Sequence, residues 1–391
     1  MSIQSILAGF FIVTFSILFL FILAEGMLRI ISWFKREFLI QEVSRSDFLA
    51  DEYQDYLQRV EDWSKPMFFY FPVGFRLFNL DNPIPKRVKN NSLGYRCPEF
   101  LPPEKNTKRI VLLGGSAAWG SGSTDNSTTI AGYIEQFFNQ DKNLLGSYEK
   151  AECFNLAQLN GTQTQDILSL TFFCNQIQPD LIMSFTGWNE LVTSHSFNEK
   201  LLMKFNMFYI NEMEGWEPIN VTGNKTKLLK DSLSLWLNEH FELSRKLKSS
   251  KSSINRKNLD FSEMVAKRSQ IFKNQLKILN IISSAFNAQH IQFLQPYLYR
   301  KKYLTEQEQN VVHLYDDLRP VHGGQKMGDF LRENNIYESM KKELLSNPEE
   351  FGPVHDLCDM FQNEKETKYF TLVHLTDSGY HDVAKKMINL L

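Results

Sequence analysis

The stretch RIVLLGGSAAWGSG, residues 109–122, decides the fold of this chain. Its apolar residues 110–113 run directly into two glycines and Ser116. An apolar run of this length that ends on glycine is typical of a strand buried in a parallel sheet, because glycine lets the chain turn where a Cβ atom would clash. Ser116 is therefore expected just beyond the carboxyl edge of a strand, where open α/β sheets bind their ligands. A serine in that place binds phosphate, caps a helix or attacks a carbonyl carbon.

Strand and helix patterns alternate on both sides of this stretch. Apolar runs typical of strands occupy residues 109–113, 152–156, 180–185 and 290–296. Helical patterns lie between these runs, near 127–139, over 164–177 and from Asp260 onward, with further helical stretches to about residue 346 and a terminal helix within 369–391. This order predicts a three-layer α/β fold in which right-handed crossovers join parallel strands.

The composition is that of a globular protein. Of the 391 residues, 43% are hydrophobic, which suffices for a packed core in one large domain with insertions or in two domains. The 43 basic and 45 acidic residues nearly balance, so no overall field favours a nucleic-acid partner. The cysteines show no CxxC spacing and the histidines no HxH or HExxH spacing, so no metal or other cofactor is predicted.

The amino terminus carries an apolar segment. Residues 6–24 contain no charged side chain, and at about 1.5 Å per residue a helix of this length nearly matches a hydrocarbon core of roughly 30 Å. We predict a single membrane-spanning helix that contacts the lipid bilayer through these residues. The alternative is a cleaved signal peptide, which the lack of a basic n-region disfavours. Basic residues follow the helix, so the positive-inside rule favours a cytoplasmic domain; these are Arg29, Lys35 and Arg36.

The chain divides into three predicted parts, of which the first is an anchor over residues 1–28. Residues 29–105 are a juxtamembrane and wrapping segment, whose portion 63–105 is rich in proline, asparagine and aromatics and is expected to be irregular. The third part, 106–391, is the main domain, with an insertion at about 197–258. The basic run 245–257 inside that insertion is either solvated or a patch for anionic lipid or another polyanion.

Three phosphate or hydrolase motifs do not fit the glycine-rich stretch. A P-loop requires lysine where Ser121 stands, and a dinucleotide fold requires a GxGxxG pattern that is absent. The GxSxG elbow of α/β-hydrolases requires glycine where Ala118 stands. Nucleophilic catalysis remains, and for it a serine needs a base, an oxyanion pocket and a group that orients the base.

Candidate groups for this chemistry follow successive strands. Ser116 follows the first strand, the segment 155–161 the second and Gly187-Trp188-Asn189 the third, while His374 lies near the carboxyl terminus. Because the carboxyl ends of parallel strands meet at one edge of a sheet, these residues are expected to converge.

These blocks resemble those of the SGNH (GDSL-type) hydrolases, specifically the membrane-anchored bacterial kind. The matching blocks are GGSAAWG (114–120), NLAQLNGTQTQ (155–165), GWNE (187–190) and HLTDSG (374–379). The resemblance covers roughly residues 88–391 and implies the three-layer, flavodoxin-like SGNH fold. It also implies hydrolysis or transfer of an O-acyl group, with acylated surface carbohydrate or lipid as the substrate and therefore a domain outside the cytoplasm.

The resemblance also implies a role for each matching residue. Ser116 would attack the ester carbonyl and His374 would take its proton. The oxyanion would be met by the backbone N–H of Ser116, a backbone N–H of Asn160 or Gly161, and the side-chain amide of Asn189. Gly187 and Trp188 beside that amide are candidates for a substrate wall, with packing as the alternative for Trp188.

One position departs from the family pattern. Thr371 stands three residues before His374, where the family places an acid that orients the imidazole. Either another group holds the ring, such as a backbone carbonyl or one of Asp356, Asp359 and Asp377, or activity is reduced or lost. The alternatives to an esterase are accordingly a catalytically inactive SGNH domain that binds a glycan and a membrane-tethered interaction scaffold. The basic residues Arg300, Lys301 and Lys302 either form a solvated face or face an anionic substrate.

Overall fold

The computed structural model divides the chain into two units. The first is Met1–Arg45 with Asn198–Asp260, and the second is Ser46–Phe197 with Phe261–Leu391. The structure describes residues 11, 13–16, 19–31, 68–71, 74–77, 89–159, 161–191, 261–313, 316, 326–333 and 336–391. The predicted oxyanion donor Asn160 and the basic run 245–257 lie outside the described residues.

The described part of the first unit contains one apolar helix, α1 (Val13–Ile31), with a mean hydropathy of 2.0. Its large side chains are exposed, among them Phe15 at 61% and Phe19 at 53%. Arg29 and Glu25 near its end form an ion pair one turn apart, at 2.8 Å. By length and composition this helix could cross a membrane or serve as a signal sequence. It overlaps the predicted segment 6–24.

The described residues of the second unit contain seven strands. A hairpin pairs β1 (Phe68–Phe71) with β2 (Gly74–Leu77). The main sheet contains β3 (Thr107–Gly114), β4 (Lys150–Asn155), β5 (Leu181–Thr186), β6 (Gln289–Leu294) and β7 (Val354–Asp356). Its five strands are parallel, in the order β4-β3-β5-β6-β7. Numbered by position in the chain this order is 2-1-3-4-5, the flavodoxin-like arrangement, in which ligands bind where β3 and β5 meet.

Helices connect the strands. They are α2 (Ser116–Trp119), α3 (Ile130–Gln140), α4 (Lys142–Leu145), α5 (Gln163–Ile177), α6 (Trp188–Leu191), α7 (Phe261–Ala285), α8 (Glu306–His313), α9 (Met327–Glu333), α10 (Ile336–Ser346), α11 (Pro348–Phe351) and α12 (Asp377–Ile388). Two 3₁₀ turns, Asn126–Thr128 and Leu298–Arg300, complete the described elements.

The alternating side chains of β3 show the three layers. Ile110 and Leu112 belong to one buried cluster, which includes residues of α3 and α12. Val111 and Leu113 belong to a second cluster, which includes residues of α5 and α7. All four are fully buried, and each burial of this kind stabilises the fold by about 1.5–3 kcal/mol. The predicted three-layer α/β fold with a parallel sheet is therefore confirmed.

The prediction of irregular structure over 63–105 is wrong for residues 68–71 and 74–77, which form the antiparallel pair β1 and β2. Its strands are four residues each, too short for an alternating pattern to emerge from a segment crowded with aromatics. The later part of the same segment packs against the second cluster through Tyr95, Cys97 and Phe100. The fifth strand of the sheet, β7, was not predicted, since it has only three half-buried residues at the sheet edge.

Candidate active site

The turn between β3 and α2 brings Ser116 to the edge of the sheet. A Cβ atom on Gly114 would lie 2.2 Å from the carbonyl oxygen of Phe185, and one on Gly115 would lie 2.3 Å from Nδ2 of Asn189. Only glycine fits at either position. Gly115 is the N-cap of α2 and Ser116 is its first residue, so the serine does not cap the helix. Because the first residues of a helix have N–H groups without an intrahelical acceptor, the N–H of Ser116 is available to a ligand oxygen.

Ser116 and His374 are 258 positions apart in the chain and in direct contact. The distance from Ser116 Oγ to His374 Nε2 is 2.7 Å. This is the separation expected of a serine nucleophile and its general base.

The loop that carries His374 is closed by backbone hydrogen bonds. Tyr369 and Leu375 form an isolated antiparallel bridge, and the N–H of Phe370 donates to the carbonyl of His374 at 3.1 Å. Phe370 also stacks on the imidazole, with ring centroids 5.6 Å apart. A tight loop of this kind fixes the backbone of His374 and thereby the origin of its side chain.

Thr371 contacts the nitrogen of the imidazole that faces away from Ser116. Its Oγ1 lies 2.9 Å from His374 Nδ1, and the same oxygen accepts the backbone N–H of His374 at 3.1 Å. The position that lacks a carboxylate thus holds a hydroxyl in contact with the ring. Sequence reasoning did not find this contact, since a lone threonine gives no signal of the loop closure that aims it.

The acids that the sequence offered as alternatives bind elsewhere. Asp356 accepts the N–H of Cys358 at 2.9 Å, and Asp359 pairs with Arg300 at 2.6 Å. Asp377 receives both the N–H of Thr124, at 3.0 Å, and its hydroxyl, at 2.5 Å. No carboxylate among the described residues contacts His374.

His374 is neutral at ordinary pH. Loss of hydration lowers the pKa of its imidazole to about 4, because burial disfavours the charged form. A neutral imidazole has a lone pair that can accept a proton from Ser116.

Asn189 is the second residue of α6 and lies beside the turn between β3 and α2. Its Nδ2 donates to the carbonyl of Gly161 at 2.8 Å and lies against Gly115. The N–H of Gly161 donates to the carbonyl of Gln158 at 2.9 Å, so that N–H already has an acceptor. The structure therefore brings Asn189 and Gly161 together next to Ser116, with the Gly161 N–H engaged in its own turn.

A buried carboxylate that sequence reasoning missed joins two of these loops. Glu190 accepts the N–H of Gly187 at 2.9 Å and the N–H of Gln163 at 3.0 Å. Gly187 begins the turn that carries Asn189, and Gln163 is the first residue of α5. Glu190 therefore fixes the two loops relative to each other.

A second acid that sequence reasoning missed contacts the turn between β3 and α2. Asp166 accepts the N–H of Gly114 at 3.0 Å through Oδ1. Burial, together with the nearby charge of Glu190, raises the pKa of Asp166 well above its usual value. Burial therefore disfavours the ionised form of Asp166.

Trp188 packs rather than lining an open surface. It is 8% exposed, and its ring lies 5.6 Å from that of Tyr297, which in turn stacks on Tyr337 at 4.8 Å. Gly187 has a φ of 125° and lies against the ring of Tyr337.

The structure corrects the sequence interpretation of Lys301. Both alternatives given for residues 300–302, a solvated face and a contact with an anionic substrate, are wrong for Lys301. Its side chain is fully buried and pairs with Glu308, likewise fully buried, at 2.5 Å. Glu308 also accepts the N–H groups of Lys368 and Tyr369, at 3.0 and 3.2 Å, and so anchors the start of the His374 loop.

A second serine–histidine contact lies inside the sheet. Ser184 Oγ is 2.8 Å from His290 Nε2, and His290 Nδ1 is 2.6 Å from Asn280 Oδ1. Ser184 is 0% exposed against 8% for Ser116, so a substrate cannot reach it. This buried contact is a structural one and provides an internal control for experiments on Ser116.

No protein-family model and no curated protein matches this chain. Among solved structures, it is similar to an acetyl xylan esterase, at 11% identity and a TM-score of 0.32, covering 72% of this chain and 99% of that one. A GDSL-like lipase from Bacteroides thetaiotaomicron matches at 10% identity and 0.33, covering 73% and 90%. An acetylxylan esterase from Geobacillus stearothermophilus matches at 10% and 0.38, covering 72% and 93%. Likeness at this level carries no argument about activity, and the fold rests on the strand order.

Proposed function

We propose that this chain is a serine hydrolase of the SGNH (GDSL) type that cleaves or transfers an O-acyl group through Ser116 and His374. The observation that carries the proposal is the 2.7 Å contact between Ser116 Oγ and His374 Nε2. It occurs where β3 and β5 meet, the position at which sheets of this order bind ligands.

The reaction begins when Ser116 Oγ attacks the ester carbonyl carbon and its proton passes to His374 Nε2. The carbonyl oxygen then gains negative charge, which the N–H of Ser116 and the amide of Asn189 stabilise. One such donor is worth about 2.7–4 kcal/mol in comparable sites. His374 returns the proton to the departing alcohol, and water or a second hydroxyl repeats the sequence to release the acyl group.

A further oxyanion donor is expected from the segment before α5. Of the two candidates, the N–H of Gly161 already donates to Gln158, which leaves Asn160 as the better one. Asparagine tolerates the left-handed conformations that such a turn can require.

The substrate class follows from the family resemblance of the four sequence blocks. We propose that the substrate is an acylated carbohydrate or lipid. We further propose that α1 holds the protein itself at a membrane. A surface glycan requires the catalytic domain to lie outside the cytoplasm, which opposes the positive-inside rule. A catalytically inactive domain that binds a glycan is the second candidate, and the hydroxyl of Thr371 in place of a carboxylate favours it.

A fluorophosphonate probe tests the proposal on the purified full-length protein. We expect covalent labelling at Ser116, located by mass spectrometry of the labelled peptide, and its loss in Ser116→Ala. Ser184→Ala is the matched control and should label as the wild type does, because Ser184 is inaccessible. Failure of the folded wild-type protein to label, or labelling that persists in Ser116→Ala, contradicts the proposal.

A further inference from the structure

The side chain of Thr371 is held in a fixed position against the imidazole of His374. Its Oγ1 lies 2.9 Å from Nδ1, accepts the backbone N–H of His374 at 3.1 Å and lies 3.5 Å from the N–H of Val373. Short hydroxyl-to-backbone contacts of this kind orient a side chain within its own turn. The imidazole is thus clamped between two hydroxyls, Thr371 on Nδ1 and Ser116 on Nε2.

Charged groups of the neighbouring elements are engaged away from the ring. Lys368, in the same loop, pairs with Asp382 of α12 at 2.8 Å. Asp377, at the start of α12, binds Thr124, which follows α2. The residues of α2 are uncharged. Among the described residues, the ring therefore meets hydroxyls and the aromatic face of Phe370 and no charge.

A hydroxyl differs from a carboxylate in one respect that matters here. An ionised carboxylate only accepts hydrogen bonds, so it forces the proton onto Nδ1 and leaves Nε2 as the acceptor that a general base needs. A hydroxyl both donates and accepts. It therefore also permits the opposite tautomer, in which Nε2 carries the proton and cannot take one from Ser116.

We propose that Thr371 is the positioning residue of His374. Its neutral hydroxyl holds the ring toward Ser116. Because the hydroxyl carries no charge, it neither forces the proton onto Nδ1 nor strengthens the ring as a base. This inference rests on the proposed function for its catalytic consequence. It adds that the site works as an uncharged Ser–His pair, with a slow first step and an imidazolium that no carboxylate stabilises.

Three substitutions at position 371 separate the parts of this proposal. Thr371→Val keeps the shape and removes the hydroxyl, Thr371→Ser keeps the hydroxyl, and Thr371→Asp adds a carboxylate that can accept the same backbone N–H groups. Thr367→Val is the matched control, because Thr367 lies in the same loop and its hydroxyl contacts Thr305 and Gln307 instead. Thermal unfolding of each variant checks that it is folded.

The first readout is the imidazole itself, followed by NMR of isotopically labelled histidine in the purified protein across pH. We expect Thr371→Asp to raise the pKa of His374 and to enrich the tautomer with the proton on Nδ1. We expect Thr371→Val to change the tautomer balance, and Thr371→Ser and Thr367→Val to leave it near that of the wild type. This readout needs no ester cleavage, so it tests the contact even if the proposed function fails.

The second readout is the rate of fluorophosphonate labelling at Ser116. We expect Thr371→Val to lose roughly tenfold or more, since general base catalysis is worth about 10²–10⁴-fold, with Thr371→Ser restoring most of the rate. Thr371→Asp should label faster than the wild type. Labelling and tautomer balance that are unchanged in Thr371→Val overturn the positioning role, and a His374 pKa that is unchanged in folded Thr371→Asp overturns the claim about charge.

Discussion

His374 loses its hydration within the loop that carries it, and for that reason its pKa falls to about 4 instead of remaining near 6.5. The neutral form is the one that accepts a proton, so the low value keeps the base available over a wide pH range. The same low value weakens the base, because general base catalysis is most effective when the pKa lies near the working pH.

The pH dependence of labelling tests this account. The reactive form of His374 is the unprotonated one, so the labelling rate of Ser116 should be level from neutral pH downward and fall only as the pH approaches about 4. A solvated histidine would instead show a midpoint near its ordinary value of about 6.5. The measurement is the labelling rate as a function of pH, with circular dichroism to confirm folding at each point. A midpoint near that of a solvated histidine contradicts the burial of the ring.

At the scale of elements, the loop after α2 and the loop before α12 are fitted to each other. Gly122 has a φ of 92°, and a Cβ atom there would lie 1.7 Å from Cε1 of Phe370, the ring that stacks on His374. Tyr380 of α12 donates its hydroxyl to the carbonyl of Ser121 at 2.7 Å. The distance between Ser116 and His374 therefore depends on the close packing of Gly122 against Phe370 and on the hydrogen bond between Tyr380 and Ser121.

Gly122→Ala should displace Phe370 and with it the imidazole. Overpacking of this kind costs about 1–3 kcal/mol, to which the left-handed backbone adds about 1–2 kcal/mol. We expect a lower midpoint of urea unfolding together with a large loss of Ser116 labelling.

The control for this substitution is Gly146→Ala. Gly146 also has a positive φ, of 63°, but nothing lies within 4 Å of the added Cβ atom. Gly146→Ala should lower the midpoint of urea unfolding only by the cost of the strained backbone, and its Ser116 should label at the wild-type rate. Equal labelling by both variants would mean that the contact between Gly122 and Phe370 does not position His374.

The sequence was sufficient for the parts of the fold that depend on local pattern. The buried run before Gly114 marks β3 because four apolar residues end on glycine, and the same logic located β5 and β6 within a residue or two. Ser116 and His374 were singled out by motifs, and their contact then follows from the parallel sheet.

The contacts that sequence could not predict depend on distant segments. Three consecutive basic residues are typical of a solvated face. Lys301 is nevertheless buried, because it pairs with Glu308 of α8. Glu308 also accepts the N–H groups of Lys368 and Tyr369. Thr371 touches His374 only because the bridge between Tyr369 and Leu375 closes their loop. Neither arrangement has a local signature.

At the scale of the whole molecule, the open alternatives for α1 are a membrane anchor and a signal sequence. If α1 is an anchor, the mature protein should retain its amino terminus by intact mass and should stay with membranes through alkaline carbonate extraction. Arginine in place of Phe19 and Ile22, exposed side chains near the middle of α1, should release it, since each costs about 2.5–3.5 kcal/mol at a helix centre. Protease added to cells with an intact cytoplasmic membrane but a permeabilised envelope should digest an extracytoplasmic domain. A mature protein that lacks the apolar segment would identify it as a signal sequence.

The buried acids beneath the site couple its geometry to the stability of the whole domain. Asp166 binds the N–H of Gly114, next to Ser116, and Glu190 binds the loops before Asn189 and before α5. The pKa of Asp166 is raised in the folded state, so the folded state retains a proton that the unfolded state releases above about pH 4. The free energy of unfolding should therefore fall as pH rises from there to the folded pKa, by up to about 1.4 kcal/mol per unit.

Asp166→Asn should abolish this dependence while keeping the acceptor for Gly114. An amide does not ionise, so the variant should gain stability relative to the wild type as the pH rises, measured as the difference in free energy of urea unfolding between pH 5 and pH 9. Asp141→Asn, at an exposed helix cap, is the matched control for the replacement of one aspartate by its amide. Asp166→Leu removes the acceptor and should lose Ser116 labelling, because the turn at Gly114 then has an unpaired buried N–H. A stability difference for Asp166→Asn that does not grow with pH would mean that Asp166 is already ionised in the folded protein.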